Sequence, residues 1–133
     1  MNSIIDLGFA AALLLIGLDC AHEGVSITGR VFYGNESQFD PDRGDPVGTI
    51  RSKDVYLHIA PYIELIEKGV DKESARGKQL IREATKIFKR EITKVAQVTH
   101  SALIVEEGGI RGYPVRDLTP IVIKHLVAQL KAG

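Results

Sequence analysis

The chain has 133 residues, of which 44 % are hydrophobic and 26 % are charged, and its 17 basic residues balance 17 acidic ones. This length is typical of one domain with its own core, and the composition excludes a disordered or collagen-like chain. The zero net charge gives no global reason to expect a nucleic-acid partner. Because the chain has one cysteine, Cys20, an internal disulfide and a cysteine-rich metal cage are excluded.

An apolar segment stands near the start of the chain. Every residue from Leu7 to Leu18 is apolar or glycine. The run is shorter than the roughly 20 residues that span a bilayer, and residues 1–6 lack the Lys or Arg of a secretory signal. We predict an apolar N-terminal helix over residues 1–20 that acts as a membrane anchor or export signal. A lipoprotein anchor at Cys20, a helix buried in a soluble core and a subunit interface remain alternatives.

The next part of the chain alternates strand and loop signals. Residues 25–33 are rich in β-branched and aromatic types, which predicts one strand with a bulge or bend at Gly29. Residues 34–48 contain turn-forming residues without an apolar face, which predicts a polar loop. A short strand is predicted at 47–50, and Ser52 is predicted to cap a helix that Pro61 breaks or restarts.

A long amphipathic helix over residues 72–98 is the strongest local pattern. Gly69 and Asp71 predict the end of the preceding helix and the cap of this one. Apolar residues then recur at spacings of three and four, which predicts one apolar stripe. The stripe comprises Leu80, Ile81, Ala84, Ile87, Phe88, Ile92 and Val95.

The last third predicts a short strand and a terminal helix. Residues 102–105 form a short apolar run, and Gly108 with Gly109 predicts a hairpin turn. Thr119 and Pro120 are an N-cap and first-turn pair that opens the terminal helix. We therefore predict one α+β domain over residues 21–133, with a small sheet, the long helix and a C-terminal helix.

A positive face lies across from the apolar stripe. Between Lys72 and Lys94, basic residues outnumber acidic ones by eight to three. The candidate partner-binding residues are Lys78, Arg82, Lys86, Lys89, Arg90 and Lys94. A solvated face, an acidic protein or anionic lipid, and nucleic acid are the alternatives. Nucleic acid is the least favoured, because neither a helix-turn-helix reader nor interleaved aromatic residues accompany the cations.

Chemistry-bearing motifs are sparse. Asp40, Asp42 and Asp45 are candidate metal ligands, but the further ligands and distant Glu of a calcium-binding hand do not follow, which favours a solvated turn. The histidines are scattered, and the serines lack the small-residue elbow of a nucleophile. We expect no catalytic residues and no cofactor.

The order of elements in the second half resembles two envelope families. A charged amphipathic helix precedes the strand Ser-Ala-Leu-Ile-Val at 101–105, and Asp117, Leu118 and Thr119 then start a terminal helix. This order resembles the end of the F-type conjugation protein TrbI family, and more distantly the OmpH/Skp periplasmic chaperones. It departs from the conjugation family in lacking a basic region before Leu7, in the 34–48 loop and in the residues between the turn and Asp117.

The resemblance implies a noncatalytic envelope protein in the inner membrane or periplasm of a bacterium. Such a protein would bind other proteins as an assembly or chaperone-like accessory of a secretion or conjugation apparatus, with membrane contact through Leu7 to Leu18. A metal-dependent enzyme or regulatory domain using the loop from Asp40 to Asp45 is one alternative. A soluble oligomeric structural subunit, cytoplasmic if the N-terminal segment belongs to the core, is another.

Overall fold

The structure, a computed structural model, describes residues 24–132. The apolar helix predicted over residues 1–20 lies outside the described residues. Within the described range, none of the helices combines the length and the apolar character needed to cross a bilayer.

Short strands alternate with helices along the described residues. The strands are β1 (Ser26–Ile27), β2 (Val31–Tyr33), β3 (Val47–Ile50), β4 (Leu103–Glu106), β5 (Ile110–Arg111) and β6 (Arg116–Asp117). The helices are α1 (Ser52–Tyr56), α2 (Ala60–Glu67), α3 (Ala75–Thr99) and α4 (Thr119–Ala132). Two single turns of 3₁₀-helix, Glu36–Gln38 and Pro41–Arg43, lie in the predicted polar loop. The predicted α+β class, with small sheets, a long helix and a C-terminal helix, is confirmed.

The main sheet has the strand order β2, β4, β3, β6. Strand β3 runs parallel to both of its neighbours, with Val47 opposite Leu103 and Gly48 opposite Arg116. Strand β2 is antiparallel to β4. Every residue of β3 is buried, because structure covers both faces of the sheet.

The core has a layer on each face of this sheet. On one face, Ile50 and Ile104 pack among the buried residues of the helices, including Val55, Phe88 and Val122. On the other face, a smaller cluster is covered partly by the loop and by the β1–β5 ribbon. That cluster contains Val47, Leu103, Val105 and Ile110, with Phe39 and Tyr113 packed against it.

Helix α3 matches the predicted long helix within a few residues at its start. Its predicted stripe faces the core: Leu80, Ala84, Phe88, Ile92 and Val95 are buried, and Ile81 and Ile87 flank them half-buried. The predicted cap at Asp71 is wrong. Ser74 caps α3 by accepting a hydrogen bond from the Gly77 amide at 3.0 Å, whereas Asp71 accepts from the Glu73 amide in the preceding turn.

The predicted single strand over residues 25–33 is wrong, because it divides into β1 and β2 in different sheets. The amides of Thr28 and Gly29 both donate to the Gly109 carbonyl, at 2.8 and 3.1 Å. A Cβ atom at Gly29 would lie 2.6 Å from the Gly109 Cα, so a side chain at this crossing would force the backbones apart.

The predicted hairpin at Gly108 and Gly109 is also wrong. The turn exists, since the Gly109 amide donates to the Glu106 carbonyl at 2.8 Å and Gly108 has a φ of +82°. However, β5 pairs with β1 and not with β4. Both edges of β4 are already occupied by β2 and β3, so the strand that follows the turn must find another partner.

Two predicted caps are shifted by one position. Ser52 is the first residue of α1, and Arg51 holds the cap position. Thr119 is the first residue of α4, and Leu118 holds the cap position, since its carbonyl accepts the Val122 amide hydrogen at 3.1 Å. The Asp117 carboxylate accepts the Thr119 amide hydrogen at 3.0 Å. Pro61 lies in the first turn of α2, which confirms that it restarts the helix.

Candidate functional site

The predicted basic residues lie together on the outer surface of α3. Lys78, Arg82, Lys86, Lys89, Arg90 and Lys94 are all exposed. On the opposite side of the helix, Ala84 and Ile92 are fully buried. Because this buried stripe fixes α3 to the sheet, the cations project from a backbone that the core holds in place.

Four of these cations have no carboxylate partner in residues 24–132. They are Lys78, Arg82, Lys86 and Lys89, which we call the basic quartet. Residues three and four apart are neighbours on a helix surface, so the quartet forms one continuous positive strip. Placing four like charges side by side is unfavourable unless water or an external anion screens them.

Arg90 and Lys94 differ from the quartet because both contact Glu91. The Arg90 Nε and the Lys94 Nζ each lie 3.4 Å from the Glu91 Oε2. Their charge is therefore partly compensated within the chain. Of the six predicted residues, the four of the basic quartet are therefore the ones whose charge is available to an external partner.

Glu91 is a buried carboxylate that joins the two longest helices. Its side chain is 0 % exposed, and Gln129 of α4 donates a hydrogen bond to its Oε2 at 2.8 Å. Its Oε1 is buried without a hydrogen-bond partner among the described residues. Burial disfavours the charged form, but the Gln129 hydrogen bond and the cations Lys94 and Arg90 outweigh it, so the pKa of Glu91 is lowered.

Sequence reasoning missed Glu91, although the pattern contained a signal. Glu91 follows Phe88 by three residues and precedes Val95 by four, which places it on the apolar stripe. A carboxylate at such a position needs donors from another element. The sequence alone does not show that Gln129 of α4 lies opposite Glu91 where α3 and α4 meet.

A second charged cluster surrounds Arg51, at the carboxyl ends of the parallel strands. The Arg51 Nε lies 2.7 Å from the Asp54 carboxylate, and its Nη1 lies 2.9 Å from that of Asp117. Glu107 adds a longer contact of 3.5 Å. Hydrogen bonds to Asp54 and Asp117 raise the pKa of Arg51. The carboxylates are thus engaged by one guanidinium, which makes this cluster a joint between β3, β4 and β6.

The Asp117-Leu118-Thr119 motif belongs to the same joint. Asp117 accepts the amide hydrogen of Thr119, the first residue of α4, and Leu118 is fully buried. The Thr119 hydroxyl accepts the Arg51 amide hydrogen at 2.9 Å. Burial raises the pKa of Asp117, but hydrogen bonds from Thr119 and Arg51 outweigh it, so that pKa is lowered overall. The motif has a structural role, in agreement with its position at a helix start.

The candidate metal ligands are arranged around an arginine. Asp45 accepts hydrogen bonds from the Arg43 Nη2 at 2.9 Å and from the Asp40 amide at 3.0 Å, and Asp40 caps the turn at Pro41–Arg43. The Asp42 amide donates to the Asp40 carboxylate at 2.9 Å. Across residues 24–132, no group of three His, Cys, Asp or Glu side chains is placed to hold a metal ion.

Comparisons with known proteins leave the resemblance as a prediction. No protein-family model, no curated protein and no solved structure matches the chain.

Proposed function

We propose that this protein is a noncatalytic accessory of a bacterial envelope assembly, of the secretion or conjugation type, and that it binds an acidic protein surface through the basic quartet. The observation that carries the proposal is the lack of ion-pair partners for Lys78, Arg82, Lys86 and Lys89 among the described residues. These cations lie on a helix whose other side is anchored in the core.

The spacing of the quartet suits recognition of an extended acidic surface. Lys78, Arg82 and Lys86 follow each other at four-residue intervals, which corresponds to about 6 Å along the helix axis. A row of charges on a rigid element loses little backbone entropy on binding. Complementary charge raises the association rate and disfavours wrong partners more than it raises affinity.

The envelope context is supported by the sequence resemblance and by the apolar run from Leu7 to Leu18. The order of elements that carries the resemblance is present in the chain: a long charged helix, the strand Leu103–Glu106 and a terminal helix that follows Asp117 and Leu118. These features support an accessory role through protein binding.

Charge reversal tests the proposal. We expect the variant Arg82→Glu/Lys86→Glu/Lys89→Glu to keep its far-ultraviolet circular dichroism and melting temperature, because these side chains are exposed. It should lose most of the protein capture that the wild-type chain shows in pull-downs from the native envelope fraction. The control is Lys124→Glu/Lys131→Glu, which reverses exposed charges on α4 instead of α3 and should capture as much protein as wild type does. Equal capture by both folded variants would contradict the proposal.

A further inference from the structure

A groove with an aromatic floor lies beside the basic quartet. It has a volume of about 350 Å³ and is formed where α1, α2 and α3 meet. We call it the tyrosine groove, and we call its half-buried lining residues the floor: Ser52, Tyr56, Tyr62, Ile81 and Thr85. The groove is open to solvent.

Three cations stand at the rim of the tyrosine groove. Arg30, Lys53 and Lys72 line it and are exposed, and no Asp or Glu is among its lining residues. None of the three forms an ion pair within residues 24–132; Arg30 lies over the Phe32 ring at 5.2 Å. The rim is therefore positive without internal compensation.

The groove and the basic quartet share one side of α3. Ile81 follows Lys78 by three residues, and Thr85 stands three residues after Arg82 and four before Lys89. Side chains at these spacings are neighbours on a helix. The floor of the tyrosine groove thus adjoins the quartet along α3.

We infer that the tyrosine groove receives an aromatic or aliphatic side chain from an acidic protein segment, whose carboxylates contact the rim cations and the quartet. This inference rests on the proposed function and names the chemistry of its partner. Charge complementarity selects an acidic segment, and the apolar floor requires an apolar side chain within it. A buried anchor surrounded by charged contacts is the usual arrangement of a specific interface.

The aromatic packing favours a protein segment over single-stranded nucleic acid. Base stacking needs an accessible ring face. The Tyr56 ring stacks on Phe88 with centroids 4.7 Å apart and planes at 10°, and Tyr62 lies tilted against it at 5.4 Å. The Tyr56 hydroxyl is 3.3 Å from the Thr85 hydroxyl. Because Phe88 covers one face of Tyr56 and the Tyr62 plane is tilted by 57° from that of Tyr56, the two rings do not present parallel faces on which successive bases could stack.

The test uses the full chain and three fluorescent probes. One probe is a short Asp/Glu-rich peptide with a central Phe, the second replaces that Phe by Gly, and the third is an oligo-dT strand. We expect the Phe peptide to bind about tenfold more tightly than the Gly peptide, which is the weakening expected on losing a moderate anchor side chain. The variant Lys53→Glu/Lys72→Glu should bind the Phe peptide at least about tenfold more weakly than wild type. The control Lys124→Glu/Lys131→Glu should bind the Phe peptide as tightly as wild type does.

The outcomes separate this inference from the proposed function. Equal affinity for the two peptides, or unchanged affinity in a folded Lys53→Glu/Lys72→Glu variant, overturns the inference. If envelope capture is nevertheless lost in Arg82→Glu/Lys86→Glu/Lys89→Glu, the proposed function stands without the groove.

Failure of wild type to bind either peptide, or tighter binding of oligo-dT than of the Phe peptide, also overturns the inference. If the variant Arg82→Glu/Lys86→Glu/Lys89→Glu still binds the Phe peptide more tightly than the Gly peptide, the result supports the tyrosine groove, even where envelope capture is unaffected.

Discussion

Gln129 of α4 donates a hydrogen bond to the buried carboxylate of Glu91 on α3, with Nε2 and Oε2 2.8 Å apart. This contact supplies a neutral donor to a charge that, among residues 24–132, is otherwise paired only with the partly exposed side chains of Arg90 and Lys94. It also ties the C-terminal helix to the helix that carries the basic quartet. The position of α4 is thus coupled to the ionisation of Glu91.

We predict that Gln129→Met lowers the free energy of unfolding by about 1–3 kcal/mol, because it removes a hydrogen bond to a charged group and leaves that group less satisfied. Methionine keeps the length and the helix propensity of the side chain. The control is Gln97→Met on the exposed side of α3, which should be nearly neutral. Denaturant melts measure both variants, and equal midpoints would show that the Gln129 contact contributes nothing.

The pH dependence of stability should report the ionisation of Glu91. Its pKa in the folded protein lies below the ordinary value of 4.5, so the unfolded chain binds more protons in that range. The stabilisation is fully present above the ordinary value and is lost as the pH falls through the folded pKa. We expect the stability advantage of wild type over Glu91→Gln to be largest near neutral pH and to shrink in acid. A pH-independent difference between the two unfolding free energies would refute this role.

Phe88→Ala should destabilise the domain by about 3–5 kcal/mol, because it opens a cavity in the helix-side core. Phe88 is 3 % exposed, stacks on Tyr56 and meets Phe32 edge-on with centroids 5.2 Å apart. The neighbouring change Lys89→Ala should shift the unfolding free energy by less than about 0.5 kcal/mol. If chemical denaturation gives both variants the same midpoint, the faces of α3 have been misassigned.

The two functions of Asp117 should separate by substitution. Asp117→Ala removes both the hydrogen bond to the first amide of α4 and the ion pair with Arg51, and we expect the free energy of unfolding to fall by about 0.5–2 kcal/mol. Asp117→Asn keeps an oxygen that can accept the Thr119 amide hydrogen, so it should lose less. Thermal melts of both proteins provide the comparison. An equal loss in the two variants would mean that the charge of Asp117, and not its hydrogen bond to the Thr119 amide, holds this joint together.

The sequence predicts α3 and its apolar stripe well because both depend on local periodicity. Buried Leu80, Ala84 and Phe88 repeat at four-residue spacing, so the inward face of the helix can be read without knowing its neighbours. The exposed position of the quartet follows from the same period.

Long-range pairing accounts for what the sequence does not predict. Strand β5 pairs with β1 because both edges of β4 are taken, and this depends on strands more than 50 residues apart in the chain. The tyrosine groove likewise combines Arg30, Tyr56 and Lys72 from separate segments. No local pattern brings such residues together, since only the assembled sheet and helices define their distances.

Site-specific photo-crosslinking on α3 tests the central claim most directly, because it locates the partner on the surface of the folded chain. A photoreactive amino acid placed at Lys86 should give one dominant crosslinked protein in the native envelope, and the yield should fall strongly when the salt concentration rises. The same group at exposed Ala128 of α4 should give little of that product. Salt-insensitive crosslinking, or equal labelling of the same protein from both positions, would contradict a binding role for the basic quartet.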